Sequence, residues 1–335
     1  MPDSITPLLS SALAARADLF DARHESAFRL FNGFLEGCPD LVIDLYARTV
    51  VLHNYADVPE QAQAVLTEAQ EFLRAQLPWV NAVILKTRSA KEATARNGVI
   101  LNGETLDRRA RDPQSRVWYA LELLLNRDAS LYLDTRNARF WAETHLAGKT
   151  VLNTFAYTGS LGVAALAGGA SRVVHLDRNR ALLNIAKTSY TLNGLPIKKS
   201  DFQAGDFFTQ VSRLKREGAL FDCVLVDPPF FSTTSQGTVD LVNESHRVIN
   251  KVRPLVTDGG YLVAINNALF VSGAEYMRTL ESLCADGYLS IEELIPVPSD
   301  FTGYPPTIVR TPPVDPAPFN HSTKIAVLRV RRKQT

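Results

Sequence analysis

The sequence predicts an α/β protein: a doubly wound, mostly parallel seven-stranded sheet with a smaller α+β domain ahead of it. Three observations carry this. From about residue 150, β-rich apolar runs ("TVLNTF", "RVVHLD", "FDCVLVD", "GGYLVAIN") alternate with helical patterns, as βαβ units buried on both faces do. Successive strand ends in that half carry acids, at Asp177, Asp206 and Asp227. The first third reads differently, with short runs of alternating polarity.

The N-terminal domain is placed at residues 1–120. "LVIDLYA" and "TVVLHNYA" read as an antiparallel pair, separated by turn residues. Asp57 and Pro59 then open "EQAQAVLTEAQEFLRAQL", apolar at helical spacing, and "WVNAVILKT" reads as a further strand. Residues 86–116 hold eight basic side chains (Lys86, Arg88, Lys91, Arg96, Arg108, Arg109, Arg111, Arg116) against four acids. Either a solvated loop region or a nucleic-acid-facing patch fits that run.

The second domain is placed at residues 121–335. "AGDFF" marks the end of a third strand, and "YLSIEELIPV" and "TKIAVLRVRR" bring the count to seven. Between the last two lies a connection, residues 298–322, with seven prolines. Its length points to a functional loop over the site's mouth, offering Phe301, Tyr304, Arg310 and His321, or equally to an ordered surface or dimer contact.

A chain of 335 residues, 46% hydrophobic, can bury a sizeable core. Its net charge of +1 gives no global footprint for nucleic acid, so any basic surface is local. Cys38, Cys223 and Cys284 lie far apart with no CxxC or Cys/His cluster, which argues against a metal site or a disulfide framework. There is no basic n-region followed by an apolar stretch and no 18-residue apolar run, so a cytoplasmic protein off the membrane is expected. Oligomeric state is left open.

Residues 151–195 carry the cofactor signal. A strand ends near Phe155, a turn holding Gly159 opens a small-residue helix, and a second strand ends on Asp177. Ligands of doubly wound sheets bind at such carboxyl ends. A carboxylate there can accept from both hydroxyls of a ribose. The turn reads Tyr157-Thr158-Gly159-Ser160-Leu161-Gly162, which is not GxGxxG and disfavours a dinucleotide pyrophosphate. A nucleoside cofactor without phosphates remains, and S-adenosylmethionine is the obvious one. Asp206 can accept from an adenine amino group, and Phe207 can cover the ring. The candidate cofactor residues are Asn153, Phe155, Tyr157, Thr158, Gly159, Ser160, Asp177, Arg178, Asp206, Phe207 and Asp227. The plainer alternative makes Asp177 and Asp206 helix caps.

"LVDPPFFST" supplies the catalytic candidates Asp227, Pro228, Pro229 and Phe230. Proline cannot continue a central strand, so the chain leaves the sheet at Asp227 in a stiff bend. Asp227 can accept from an N–H on a base edge, the bend exposes a backbone carbonyl as a second acceptor, and Phe230 or Phe231 can stack on a planar ring. Alternatively the rings are core and the prolines only end a strand.

These residues carry a family resemblance. The chain resembles class I S-adenosylmethionine-dependent methyltransferases with a Rossmann-like sheet, and within them the 23S ribosomal RNA enzymes of the 5-methylcytosine and 7-methylguanine group. "AFRLFNGFLEGCPDLVIDLYA", "LYLDTRNARFW", "LNTFAYTGSLGVAALAGGA" and "AINNALF" carry the match, over most of residues 25–270. The resemblance implies that Asp177 holds the ribose, Asp206 the adenine side and Asp227 the catalytic face. It also implies that Asp134 and Arg136 lie beside the cofactor's methionine end, and that RNA is the partner. No stretch is left at the N-terminus for the RNA-binding PUA module of many relatives, and the proline-rich stretch is longer than expected. Methylating cytosine C5 needs a nucleophile, normally a cysteine thiolate. In the 5-methylcytosine relatives it follows the fifth strand, where this chain has Asn266 and Asn267. Nitrogen methylation of a base in RNA is therefore expected. The rivals are nitrogen methylation of a protein side chain or small heteroaromatic, and a non-catalytic RNA-binding assembly factor.

Overall fold

A computed structural model of the chain describes residues 4–332; positions 1–3 and 333–335, the outer ends of the two expected domains, lie outside the described residues. The chain divides into two compact units, Met1–Leu133 with Pro298–Thr311, and Asp134–Val297 with Pro312–Thr335.

The first unit is built on a five-stranded sheet in the order β1-β2-β3-β4-β5: Ala27–Asn32, Leu41–Tyr46, Thr49–Asn54, Ala82–Thr87 and Val99–Asn102. The expected pair β2 and β3 is antiparallel, while β3 and β4 are parallel. A parallel pair needs a crossover, and the helix read from the sequence supplies it. Helices α1 (Thr6–Ala15), α2 (Gly33–Glu36), α3 (Gln63–Gln76) and α4 (Ala93–Asn97) belong to this unit. Leu30, Ile43, Leu45, Val50 and Leu52 form one core with Leu9 of α1 and Leu66, Ala69 and Leu73 of α3. The sequence did not reveal a small antiparallel hairpin, β6 (Arg109–Arg111) with β7 (Trp118–Ala120).

The second unit holds a seven-stranded sheet. Its strands are β8 (Thr150–Thr154), β9 (Arg172–Asp177), β10 (Phe202–Ala204), β11 (Phe221–Val226), β14 (Val256–Asn266), β15 (Leu289–Ile295) and β16 (Lys324–Val330). A hairpin, β12 (Phe231–Thr234) with β13 (Gly237–Asp240), follows β11 directly. The sheet order is β10-β9-β8-β11-β14-β16-β15. The first five strands run parallel, and β16 lies antiparallel to both β14 and β15. The expected doubly wound, mostly parallel seven-stranded sheet is what forms. Strand order reverses between β8 and β11, the point beside which such sheets bind ligands. Helices α5 (Arg136–His145), α6 (Ser160–Ala167), α7 (Arg180–Leu192), α8 (Phe207–Arg216), α9 (Ser245–Val252) and α10 (Gly273–Cys284) connect the strands. Leu152, Val174, Val224, Leu262 and Leu328 form a core with Val211 of α8, Val248 of α9 and Leu280 of α10.

The boundary falls at Leu133/Asp134 rather than 120/121. Residues 121–133 stay with the first unit because its sheet uses their backbone as acceptor. The Lys86 ammonium donates to the carbonyls of Asn126 and Asp128, and the Tyr46 hydroxyl to that of Leu131. The proline-rich connection is also divided. Its first part, with the short helix α11 (Ser299–Thr302), packs into the first unit. There the Asp300 carboxylate accepts from the Arg29 amide at 2.8 Å, and the Phe301 carbonyl accepts from Asn32 at 2.6 Å. Phe301 is buried under the Arg29 guanidinium and Tyr304 stacks against Arg16. Of the two rings expected either at the site's mouth or in an ordered surface contact, Phe301 is buried in the first unit and Tyr304 is half-buried beside Arg16.

No helix among the described residues is long and apolar enough to cross a membrane. Among them no group of three His, Cys, Asp or Glu could hold a metal ion.

Candidate active site

The turn after β8 is strained. Phe155 (φ 52°), Tyr157 (φ 51°) and Gly159 (φ 78°) all adopt the left-handed region. For the two aromatic residues this costs on the order of 1–3 kcal/mol each, and such strain clusters at ligand sites. Backbone bonds hold the turn: the Ala156 amide donates to Leu176 O at 2.9 Å and the Gly159 amide to Ala156 O at 2.7 Å. Glycine is needed here for close packing as well as conformation. A Cβ on Gly159 would lie 2.6 Å from that of Ala186, and one on Gly162 would lie 2.5 Å from the His175 ring.

Asp177 closes β9 beside this turn. Its Oδ2 accepts from the Tyr157 amide and its Oδ1 from the Asn179 amide, both at 2.8 Å. Burial pushes its pKa up. Each oxygen keeps a further lone pair, so a half-buried, oriented carboxylate can still accept two hydroxyls. Arg178 is exposed next to it. Asp206 does cap α8, as the plainer reading held: its Oδ1 accepts from the Thr209 amide at 3.1 Å. No described residue bonds its Oδ2.

Two expected cofactor residues are placed otherwise. The Asn153 side chain is buried and lies 3.3 Å from His175 Nδ1, whose other ring nitrogen is 2.8 Å from the Tyr190 hydroxyl. β8 alternates sides, and this position points beneath α6 into a polar core chain. Burial drives the His175 pKa down to about 3, so the ring is neutral. Phe207 is buried too, stacked on Phe155 at 4.4 Å and edge-on to Phe208. Its ring packs in the core between Phe155 and Phe208. Thr158 is buried; Phe155, Tyr157 and Ser160 are half-buried along the turn.

Asp134 and Arg136 open α5. Asp134 Oδ2 accepts from the Thr323 hydroxyl at 2.8 Å, and Arg136 is half-buried. Three residues further on, Arg139 is fully buried and donates to Thr135 Oγ1 at 3.0 Å. Arg139 is not among the residues expected at the site from sequence, although a basic residue among Ala138, Trp141 and Ala142 on the buried side of α5 is a readable anomaly.

Asp227 follows β11 directly and is half-buried. Burial raises its pKa, the Asp134 charge raises it further, and Arg139 only partly offsets them, leaving it at about 7. No described residue hydrogen-bonds its carboxylate. The next carbonyl, Pro228 O, accepts from Asn267 Nδ2 at 3.1 Å, so one of its lone pairs is used and the loops after β11 and β14 are tied together. Phe230, Phe231 and Phe270 are 60, 54 and 76 % exposed, so these rings are not core. Phe270 was not singled out from sequence, and an aromatic four residues beyond the β14 end was the available signal.

A doubly wound sheet with carboxylates at successive strand ends is the architecture of a ligand-binding α/β enzyme. Residues 29–307 match the family described as S-adenosylmethionine-dependent methyltransferase, and the chain belongs to that family. Among curated relatives, the Ribosomal RNA large subunit methyltransferase I of Photobacterium profundum is 25% identical over 85% of this chain and 70% of its own. The protein of that name from Aeromonas salmonicida is 28% identical over 89% of this chain and 76% of its own. The crystal structure of SMU.776 in complex with SAH superposes with TM-score 0.82 at 21% identity, over 97% of this chain and 81% of that one. That likeness speaks for the fold. The chain is an S-adenosylmethionine-dependent methyltransferase, and the carboxylates of Asp177 and Asp206 at its strand ends are acceptors of the kind that ribose hydroxyls and an adenine amino group call for.

Proposed function

We propose that this enzyme methylates a nitrogen of a base in ribosomal RNA, in the cytoplasm and without a cysteine nucleophile. The Asp227 carboxylate carries the reading. It is half-buried, bonded by no described residue, and set at the carboxyl end of the sheet next to exposed aromatic rings. A desolvated acceptor without a donor suits the N–H edge of an extruded base.

S-adenosylmethionine supplies an already activated sulfonium methyl, so the protein mainly positions the nucleophile. Asp177 is assigned the ribose hydroxyls and Asp206 Oδ2 the adenine amino group. Asp134, fixed by Thr323, is assigned the methionine end with Arg136. Asp227 and the free lone pair of Pro228 O face the base, and Phe230 and Phe270 stack on it. Covalent activation of a ring carbon needs a thiolate, and the thiols oppose it. Cys223 is buried inside β11, Cys38 is buried in the first unit, and burial raises the pKa of these two and of Cys284. A ring nitrogen with its own lone pair needs no such step. The names of the relatives point to ribosomal RNA as the substrate, and the first unit is assigned a substrate-facing role.

Nucleoside mass spectrometry of ribosomal RNA tests this, using cells with the gene, without it, and with Asp227→Ala. One N-methylated base should vanish on deletion, return with the wild-type gene and fail to return with the variant. Loss of 5-methylcytosine would overturn the nitrogen reading. An unchanged methylation pattern would overturn the RNA reading.

A further inference from the structure

The basic run of residues 86–116 is not one surface. Four of its eight cations are consumed within the first unit. Lys86 is buried and donates to the carbonyls of Asn97, Asn126 and Asp128. Arg88 pairs with Asp128 at 2.8 Å. Arg96 donates to the carbonyls of Ala90 and Lys91. Arg111 lies 3.1 Å from Glu25 and 3.5 Å from Asp21. Of the other four, Lys91 lies apart from the hairpin in sequence, and Arg108, Arg109 and Arg116 all belong to the β6–β7 hairpin and its ends.

The hairpin has two distinct faces. Register pairs Arg109 with Ala120, Ala110 with Tyr119 and Arg111 with Trp118. Ala110 and Tyr119 are buried and anchor it. Alternation therefore turns Arg109, Arg111 and Trp118 to the other face. The Arg109 guanidinium sits 4.3 Å over the Trp118 ring and that of Arg111 lies 5.7 Å from it. A guanidinium resting over an indole loses little freedom on binding. The Arg108 side chain is 86 % exposed, and its one ion pair among the described residues is with Glu122, itself exposed, at 4.0 Å. Arg116 is exposed and makes no ion pair or hydrogen bond among the described residues. Two acids of the same stretch are engaged elsewhere: Asp107 accepts from the Arg48 amide and the Thr49 hydroxyl, and Asp112 is buried.

We propose that the β6–β7 hairpin is an RNA-backbone dock, in which Arg108, Arg109 and Arg116 contact phosphates with the Arg109–Trp118 stack as its rigid centre. Guanidinium forks match phosphate geometry, and three exposed ones on an anchored hairpin suit a polyanion. The dock carries no base-reading group, so it contributes affinity independent of sequence. The inference rests on the RNA reading above and names the surface that would hold the substrate's backbone.

The test uses the full chain with polyuridylate and with an unmodified ribosomal RNA transcript, titrated across a salt series. The variant Arg108→Ala/Arg109→Ala/Arg116→Ala should bind both RNAs at least about tenfold more weakly at low salt. The slope of log affinity against log salt should become shallower by about 2, as expected for three lost phosphate contacts on a single strand. Calorimetric affinity for S-adenosylhomocysteine and the melting temperature should not move. The corresponding triple Arg→Lys variant should recover most of the salt slope. Equal affinity and slope for the triple alanine variant and wild type would overturn the dock while leaving the RNA reading intact. Wild-type protein that binds neither RNA at low salt would overturn the dock together with that reading.

Discussion

Asp44 is a buried carboxylate of the first unit and Asp227 a half-buried one of the second, and they are treated in opposite ways. Burial alone would raise Asp44, yet Arg29 and His53 outweigh it and hold the carboxyl well below the usual range. Arg29 Nε lies 2.9 Å from Oδ1 and His53 Nε2 3.1 Å from Oδ2. Asp227 also feels burial, but its near neighbours are another acid and one buried arginine, and its carboxyl rises to about 7. Other buried charges of the first unit follow Asp44. Arg16 forks onto Glu36 with both contacts at 3.0 Å, and Lys86 is surrounded by carbonyls. A matched buried charge holds a fold together, whereas an unmatched one at a strand end is available to a ligand.

The largest expected effect lies on the matched side. Asp44→Ala strands the Arg29 guanidinium and should lower the unfolding free energy by about 3–5 kcal/mol. Methyl transfer per folded molecule should stay near wild type. Denaturant titration with activity normalised to folded protein checks this, and a loss below about 1 kcal/mol would erase the contrast between the two sites.

On the ligand side, Asp177→Ala should weaken S-adenosylhomocysteine binding by about 2–4 kcal/mol, since a charge-assisted acceptor for two hydroxyls is removed. Calorimetry on folded protein reads it directly. Binding as tight as wild type would mean that Asp177 serves only the Tyr157 and Asn179 amides.

A smaller effect separates cofactor from substrate. Phe270→Ala should cost about 1–3 kcal/mol in kcat/KM for RNA, the worth of one base–aromatic stack. Affinity for S-adenosylhomocysteine should be unchanged. A loss confined to cofactor affinity would move Phe270 out of the substrate's path.

The sequence was most readable where the signal is local. β8, β9, β11 and the second half of β14 are short, mostly apolar runs, and Asp177 and Asp227 stand at the carboxyl ends of β9 and β11. What escaped depends on distant partners. The membership of residues 298–311 in the first unit is decided by Arg16, Arg29 and Asn32, some 270 positions away in the chain for Arg29 and Asn32. Asn153 was expected at the cofactor because it lies near the carboxyl end of β8, whereas its side chain is buried 3.3 Å from His175 Nδ1. Phe207 looked available because it follows Asp206, whereas the first turn of α8 rotates it into the core against Phe155. The β6–β7 and β12–β13 hairpins have strands of three or four residues, too short for a periodic pattern to register.

The Asp227 carboxylate accepts no hydrogen bond among the described residues. The most direct measurement compares unfolding free energies of wild type and Asp227→Asn from pH 5 to 9. A folded pKa of about 7, above the ordinary carboxyl value, means that the native state binds a proton that the unfolded chain has lost. Its stabilising effect is complete below the unfolded pKa and is lost as pH rises through 7. Wild type should therefore weaken relative to Asp227→Asn by about 2–3 kcal/mol across that range, with most of the change below pH 8. A difference that stays flat with pH, or that favours wild type at alkaline pH, would show Asp227 to be matched like Asp44 and would contradict the account.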